Sequence, residues 1–468
     1  MQLITIPRIL ACSILLIAAA NLYAQEEAAV QSGSQEAQAA DDSALLAAFE
    51  LYKQHRKSGA LDETESLAKR VIEIAIRTKG PRSSEAASAL TNLAIVQHQT
   101  GQFGPAQQNF QAAVEIIEEI EDRLNSKLVN PLKGLAAAQM EAGRPDLASS
   151  TYDRAVHVTH VNDGPHNLGQ LPLLESLSEA KLRMGELDLA TTVQDRISAL
   201  NARHYDFQSL EFVPSLMRRA AWQHRAGLIY DSRTTYRRAI RIIERQVGKN
   251  DVRLINPLLL LGRSFFFIDF SGTSTYGAPT MVSGELYIKR AVRIANKHSD
   301  SDWTTLVVAK LALGDFYMYD RNSQRARAVY REIWNLLSED DARLDFRQEQ
   351  LGEVVILRQR NLPQYLPDSN ADGKAATDST VLQGTVSMTY DVSTHGRAFN
   401  IKLVEANPPE FQEMQKLVQR EIRRRIFRPR FENAEAVVST SQLLIHSYFY
   451  RQSDLDALRG PAKKTAKN

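Results

Sequence analysis

A glycine recurs every 42 residues along the first half of the chain. The positions that share this spacing are Gly59, Gly101, Gly143, Gly185 and Gly227. A fixed spacing of this size is typical of a chain that repeats one structural unit and stacks its copies. The spacing therefore predicts a repeat array in which each unit buries its apolar face against the next.

Small side chains, with Tyr52 as the exception, follow the same spacing on both sides of the glycines. Seven residues before them stand Tyr52, Ala94, Ala136, Ser178 and Ala220, with Gly262 one step further on, and five residues after them stand Thr64, Ala106, Ala148, Ala190 and Ser232. Small residues let two helices approach to the roughly 8–10 Å of close helix packing. A glycine ends a helix readily because it enters the left-handed conformation without steric cost. Each unit is therefore expected to be a pair of amphipathic helices.

This pattern resembles the tetratricopeptide repeat in a 42-residue form. The matching residues are Leu93, Ala94, Gly101, Ala106, Phe110 and Ala113 in one unit, Leu135, Ala136, Gly143, Ala148, Tyr152 and Ala155 in the next, and Leu313, Gly314, Ala326 and Tyr330 in a later one. About seven units fit between residues 43 and 340. The resemblance implies a mostly α fold, an α-solenoid of about seven helix pairs. Such solenoids hold other proteins and are not, as a class, enzymes.

The sixth unit departs from the pattern by an insertion. We expect its first helix from Leu254 to Ile268, a Gly/Ser/Thr loop from Asp269 to Pro279, and its second helix from about Ser283. Such a loop is more often an insertion that the fold tolerates than a binding element.

The amino terminus reads as a secretory signal peptide over residues 1–24. Arg8 precedes a short apolar run from Ile9 to Ala20, and Ala24 supplies the small residue before the cleavage site. Cleavage after Ala24 would place the protein in the periplasm; retention of the segment as a membrane anchor is the alternative. Cys12 resembles a lipoprotein cysteine, but the apolar run continues beyond it, which argues against lipidation. Residues 25–42 are expected to be a disordered leader.

The pattern changes after the array. Residues 341–380 read as a helical end and a flexible linker because Pro, Gly, Asp and Ser accumulate from residue 361. From 381 to 450 the periodicity predicts a strand with Val386, Met388 and Tyr390 inward, a second strand, a helix and a last strand. Residues 451–468 are expected to be a disordered basic tail.

This carboxy-terminal order resembles the carboxy-terminal domain of TonB-type energy transducers. The matching segments are Gly384-Thr385-Val386, Gly396, Leu403-Val404-Glu405 and Phe427-Arg428-Pro429-Arg430-Phe431. The resemblance implies a periplasmic domain of a Gram-negative bacterium that adds a receptor peptide to a sheet edge. The membrane anchor and the long Pro-rich spacer of that family have no counterpart in the expected mature chain. The domain therefore reads as a docking module.

Three groups of residues could carry chemistry. His157, His160, Asp163 and His166 have spacings open to a metal ion, but surface histidines are commoner, and no metal or other cofactor is expected. Asn130, Lys133, Arg218 and Arg263 occupy the places at which some tetratricopeptide domains grip a carboxylate, without the full pattern. The basic run of Lys416, Arg420, Arg423, Arg424, Arg425, Arg428 and Arg430 reads as the solvated face of a helix, with membrane-surface contact as the alternative.

The sequence thus favours a non-catalytic periplasmic scaffold that recruits envelope proteins. A TonB-like transducer or accessory factor that engages an outer-membrane receptor is the second hypothesis, and an enzyme with an unrecognised site is the third. The chain carries no His-Glu-x-x-His, no Gly-x-Ser-x-Gly and no phosphate-binding glycine loop after a strand. Its net charge of +2 gives no case for a nucleic-acid partner.

Overall fold

The computed structural model describes residues 41–57, 59, 61–267, 284–298, 302–359, 362–363 and 381–459. The chain divides into two compact units, unit 1 up to Ile197 and unit 2 from Ser198. The expected signal peptide, the leader up to residue 40 and the loop at 269–279 lie outside the described residues.

Unit 1 is a series of helices joined by short connections. They are α1 (41–57), α2 (Leu61–Lys79), α3 (Ser84–Gln99), α4 (Phe103–Ile120), α5 (Val129–Glu141), α6 (Pro145–Asp163), α7 (Leu171–Arg183) and the first part of α8 (Leu187–His204). Each described helix packs against its neighbours in sequence from α2 to α7.

Unit 2 continues with the end of α8 and seven further helices. They are α9 (Val213–Arg225), α10 (Ile229–Val247), α11 (Ile255–Arg263), α12 (Gly284–Asn296), α13 (Trp303–Tyr319), α14 (Ser323–Leu337) and α15 (Leu344–Leu351). The described helices therefore include seven pairs, α1–α2 through α13–α14, as the sequence predicts. No helix in the described part of the chain combines the length and the apolar content needed to cross a bilayer.

The 42-residue spacing has the expected physical cause. The five glycines have φ between 73° and 80°, in the left-handed region. Ala94, Ala136, Ser178 and Ala220, at the small-residue position of the first helices, are all 0% exposed. Side chains of this size are needed there because a larger one would separate the packed backbones.

A further series on the same spacing caps the connections between pairs. Asn125, Asn167, Ser209 and Asp251 each precede a single 3₁₀ turn. Their side-chain oxygens accept a backbone N–H of that turn, at 3.0 Å for Asp251 and Arg253. Side-chain acceptors of this kind satisfy backbone donors that have no partner within the turn.

In its described residues, the carboxy-terminal part of unit 2 contains seven strands and two helices. They are β1 (Val355–Arg358), β2 (Val381–Val392), β3 (Ala398–Asn407), α16 (Gln412–Arg424), β4 (Ile426–Arg428), β5 (Phe431–Glu432), β6 (Glu435–Ala436), β7 (Ser439–Arg451) and α17 (Gln452–Arg459). The main sheet is antiparallel with strand order β3-β2-β7, and β1 pairs with β4 and β5 with β6. The predicted order of strand, strand, helix and strand is therefore present, with short strands added.

One face of the main sheet forms a core with α16. Val386, Val392, Met414, Val418 and Ile422 are all 0% exposed in this core. The alternation that predicted β2 arises because successive side chains of a strand point to opposite faces. Ile426, which follows α16 in the chain, lies in β4 and packs into the core of the repeats.

Two predicted segments need correction. Residues 451–459 are not a disordered tail: β7 runs to Arg451, and Leu455 of α17 is 4% exposed in the core. The backbone N–H of Arg451 donates to Asp454 at 2.9 Å and fixes the start of α17. Residues 355–358, expected within the helical end and linker, form β1. The sequence signal for β1 was the apolar run Val354 to Leu357 after Gly352.

Candidate functional site

A cavity of about 480 Å³ lies in unit 2, between the first helices of the repeats and β1. Its walls consist of apolar, aromatic and charged side chains, and three of the lining residues belong to β1. The lining residues are Ala221, His224, Arg225, Tyr236, Leu260, Arg263, Phe266, Asp315, Tyr319, Val355, Ile356, Leu357 and Arg428. This mixture of apolar surface and a few polar groups is the usual character of a ligand site.

The strand β1 presents one edge away from its partner. Ile356 pairs with Phe427 in the antiparallel ladder, and the N–H of Phe427 donates instead to the carbonyl of Gly396 at 3.1 Å. Opposed residues of an antiparallel ladder exchange either both hydrogen bonds or neither. The N–H and C=O of Ile356 therefore point to the edge of β1 that faces away from β4. Among the described residues β1 pairs with β4 alone, and Ile356 lines the cavity, so within that part of the chain this edge is open to a second strand.

A buried ion pair also lines the cavity. Arg428 donates from Nε and Nη2 to the two carboxylate oxygens of Asp315, at 2.9 and 2.8 Å. The two side chains are only 6% and 7% exposed. Tyr330 donates to Asp315 at 2.8 Å, and Arg428 also donates to the carbonyl of Gln350 at 2.9 Å. The network joins α13 and α14 to β4. Since β4 pairs with β1, it also connects the repeats to the small sheet of β1 and β4.

The protonation states of this network are stable near neutral pH. Burial alone would lower the pKa of Arg428, but the carboxylate of Asp315 outweighs it and raises that pKa. Burial, with the negative charge of Asp315, raises the pKa of Tyr330 well above its usual value. Arg428 is therefore charged and Tyr330 neutral, which makes this ion pair a structural element rather than an acid–base pair.

The remaining charged groups make the cavity electropositive. Arg225 lies at the end of α9 and Arg263 at the end of α11, and both are cationic. Among the described residues that line the cavity, Asp315 is the single carboxylate, and Arg428 already neutralises it. Arg263 therefore leaves the cavity with a positive charge that attracts an acidic group.

Two further side chains shape the apolar wall. The ring of Phe266 stacks on that of Tyr319 with 3.7 Å between centroids. Tyr319 donates to the carbonyl of Leu357 and so anchors β1. Burial raises the pKa of Tyr319 to about 12, so its hydroxyl stays protonated and remains a donor. Burial, and then Arg233 and Arg225, lower the pKa of His224, which favours a neutral imidazole in the cavity.

The four residues proposed from the sequence to grip a carboxylate are divided between the two units, two in each. Asn130 and Lys133 are exposed on α5 of unit 1. Arg218 is exposed on α9 of unit 2 and is not among the lining residues, whereas Arg263 lines the cavity. Sequence reasoning missed Arg225 and β1. Arg225 could have been found because it is a cation in the last turn of the first helix of the fifth pair.

The basic run is divided by the fold. Lys416, Arg420, Arg423 and Arg424 are exposed on or at the end of α16, as expected of a solvated face. Arg425 and Arg428 are 3% and 5% exposed, which corrects their assignment to that face. They leave the solvated face because the chain passes from α16 into β4, whose side chains are all buried. The surface available for membrane contact is smaller than the sequence suggested.

The predicted histidine cluster is not assembled into a metal site. His157 and His166 are exposed, and His160 is half-buried in α6. Within the described ranges, no group of three His, Cys, Asp or Glu side chains is placed to share a metal ion.

The main sheet offers a second candidate surface at β7. Within the described residues β7 pairs with β2 on one side only. On the face away from α16, Leu443 and Ile445 are 58% and 61% exposed. An edge strand with exposed aliphatic side chains is a place at which another chain can pair.

Comparison with known proteins identifies the repeats. Residues 47–119 match the model of the tetratricopeptide repeat family. A search of curated protein sequences found no match to the chain. The family match supports the tetratricopeptide assignment of the helix pairs, while the likeness to TonB-type domains stays a prediction.

Solved structures to which this chain is similar include tetratricopeptide repeat proteins at low identity. A tetratricopeptide repeat protein from Parabacteroides merdae is 15% identical, with 65% of this chain and 98% of that chain covered and a TM-score of 0.37. The carboxy-terminal part of a repeat protein from Cytophaga hutchinsonii is 11% identical, covering 64% and 98%, with a TM-score of 0.37. PilF of Pseudomonas aeruginosa is 17% identical, covering 59% and 93%, with a TM-score of 0.33.

Proposed function

We propose that this protein is a non-catalytic scaffold that binds an extended segment of another protein in the cavity of unit 2. Tetratricopeptide repeats are protein-interaction modules, and residues 47–119 match that family. The observation that carries the proposal is the edge of β1 that faces away from β4, beside Arg263. The partner segment pairs its backbone with Ile356 and places an acidic side chain, or its terminal carboxylate, against Arg263.

The two contacts have different roles. Backbone pairing at β1 supplies affinity without regard to sequence, and each net hydrogen bond contributes about 0.5–1.5 kcal/mol. Arg263 supplies a preference for segments with an acidic group, since a hydrogen bond to a charged group contributes about 1.5–3 kcal/mol. The apolar wall of Leu260, Phe266 and Tyr319 covers the side chains of the bound segment.

Selection from a library of random linear peptides on the full mature chain tests this proposal. Acidic sequences are expected to be enriched, and the selected peptide is expected to lose affinity for Arg263→Glu. Arg218→Glu is the matched control, because it makes the same charge change at an exposed position outside the cavity. Equal loss in the two variants would show a general charge effect and contradict the site.

A second variant isolates the strand edge. Ile356→Pro removes the outward N–H while leaving the ladder with β4, since proline is tolerated where the N–H faces away from the partner strand. Peptide affinity is expected to fall about fivefold, for the loss of one hydrogen bond of about 1 kcal/mol. Ile356→Val keeps the N–H and should retain the affinity. An unchanged affinity in Ile356→Pro would contradict pairing at this edge.

We further propose that the protein works in the periplasm and that its partners are envelope proteins. The proposal rests on the signal-like sequence of residues 1–24. Amino-terminal sequencing of the protein isolated from its own cells should give Gln25. A retained amino terminus would favour the alternative, a TonB-like transducer or accessory factor that pairs an outer-membrane receptor peptide with the edge of β7.

A further inference from the structure

A second cavity of about 440 Å³ lies where the connection between α13 and α14 meets the connection between β2 and β3. Its lining residues are Met318, Arg321, Ser323, His395 and Arg397. None of them lines the cavity beside β1, so the two sites are separate.

Positive charge is concentrated around this cavity. Arg321 and Arg397 line it, and Arg358, at the end of β1, acts on Arg397 from nearby. Burial, and then the charges of Arg321 and Arg358, lower the pKa of Arg397. In the part of the chain that the structure describes, none of these three arginines takes part in an ion pair. Like charges that are held together and partly removed from water cost free energy unless an anion joins them.

The backbone that carries this charge is fixed. Gly396 has a φ of 67°, and a Cβ there would lie 2.1 Å from the carbonyl oxygen of Phe427. Phe427 donates its N–H to the carbonyl of Gly396 at 3.1 Å, so the β2–β3 turn is held against β4. Arg397 follows directly, and its own N–H donates to Ser393 at 3.2 Å. The side chain of Arg397 therefore starts from a fixed backbone position and lines the same cavity as Arg321.

We propose that this cavity binds a phosphoryl group, through the guanidinium groups of Arg321 and Arg397 with the hydroxyl of Ser323. The planar fork of arginine matches the oxygens of a phosphoryl group in a bidentate manner. A phosphoryl group near neutral pH carries up to two negative charges, which suits two or three arginines better than one carboxylate does. The volume exceeds that of inorganic phosphate, and Met318 offers an apolar wall, so the group is carried by a larger molecule. That molecule is either a soluble phosphomonoester or a phospholipid headgroup.

Thermal unfolding and calorimetry of the full mature chain test the site. Phosphate and glycerol 3-phosphate should raise the melting temperature above that in sodium chloride of equal ionic strength. Arg397→Gln and Arg321→Gln should each weaken binding by at least about tenfold, because each removes a charge-assisted contact. Arg423→Gln, on the exposed face of α16, makes the same charge change and should leave binding unchanged.

The stability of the same variants in chloride also controls for misfolding. Since the arginines repel one another, Arg397→Gln should be at least as stable as the wild type in chloride. A variant that is destabilised in chloride while its response to phosphate is retained would overturn the proposal. So would a wild type that binds neither soluble phosphate compound nor lipid.

A comparison of vesicles distinguishes the two sources of the phosphoryl group. Vesicles of phosphatidylcholine with added phosphatidic acid should retain the protein if the headgroup is the ligand, and Arg397→Gln should reduce retention. Binding of glycerol 3-phosphate without retention on vesicles assigns the site to a soluble phosphomonoester. Retention that Arg423→Gln reduces as strongly as Arg397→Gln would show only general attraction to the membrane, and would contradict the site. None of these results depends on peptide binding at β1.

Discussion

At the scale of single residues, the decisive contact of unit 2 is the ion pair between Asp315 and Arg428. It is almost fully buried, and its two residues are 113 positions apart in the chain. Burying two charges costs several kcal/mol per ion, which the attraction and the added hydrogen bonds must offset. The main effect of the pair is therefore to specify how β4 packs against the repeats, and its net contribution to stability is small.

Breaking this pair on one side should be costly. Asp315→Asn leaves the Arg428 guanidinium buried without a negative partner and is expected to reduce the free energy of unfolding by about 3–5 kcal/mol. The double variant Asp315→Leu with Arg428→Met removes both charges and should lose less stability than the sum of the losses in Asp315→Leu alone and Arg428→Met alone. Urea denaturation of the four proteins measures this coupling. Additive losses would show that the two side chains do not depend on each other.

Asp251 gives a prediction in pH. Hydrogen bonds from the side chain and the backbone N–H of Arg253 lower the pKa of Asp251 to about 2. Because the folded pKa lies below the unfolded value of 3.8, the stabilisation is present above about pH 4 and is lost as the pH falls towards 2. The gain is small because the partner of Asp251, Arg253, is exposed to solvent, which screens the pair. Carboxyl NMR should show the low pKa, and Arg253→Gln should return it towards 3.8; an unchanged pKa in that variant would contradict this cause.

At the scale of elements, most of the helices were predictable because their signals are local. The 42-residue spacing of glycine and small residues determines where each helix of a pair begins and ends. The alternation at Val386, Met388 and Tyr390 predicted β2 for the same reason. In contrast, β1 is four residues long and gains its partner from residues 426–428, so nothing near it in the sequence indicates pairing. Likewise, the described part of α17 has one buried side chain, Leu455, which packs into the core formed by α16 and the main sheet. One apolar position gives little sequence signal for a helix.

The glycine spacing can be tested at one helix end. Gly185 has a φ of 79°, and a Cβ there would meet no atom within 4 Å. Gly185→Ala should therefore cost about 1–2 kcal/mol through backbone strain alone. Gly185→Asn should cost less, because asparagine tolerates the left-handed conformation.

A second glycine serves as the contrasting case. A Cβ on Gly134 would lie 2.3 Å from the ring of Phe110, so Gly134→Ala should be destabilising through overpacking. The double variant Gly134→Ala with Phe110→Leu replaces the ring by a smaller side chain and should recover part of that loss of stability. Thermal unfolding of these variants measures both effects. Equal losses for Gly185→Ala and Gly185→Asn would contradict the argument from φ.

At the scale of the whole molecule, the sequence predicted a protein-binding array but not where binding would be concentrated. Of the four residues proposed to grip a carboxylate, Arg263 alone lies in the cavity beside β1. The site could not be derived locally, since its strand, its ion pair and its arginines come from segments up to about two hundred residues apart. The structure adds to a repeat module a strand edge that repeats alone do not offer.

Amide hydrogen exchange of the full mature chain, with and without a selected acidic peptide, tests the central claim most directly. The account predicts that the N–H of Ile356 becomes protected on binding, because it donates to the backbone of the bound segment. The Arg263→Glu variant should bind less peptide at the same concentration and show correspondingly less protection. Tight peptide binding with unchanged exchange at Ile356, and protection confined to other surfaces, would contradict it.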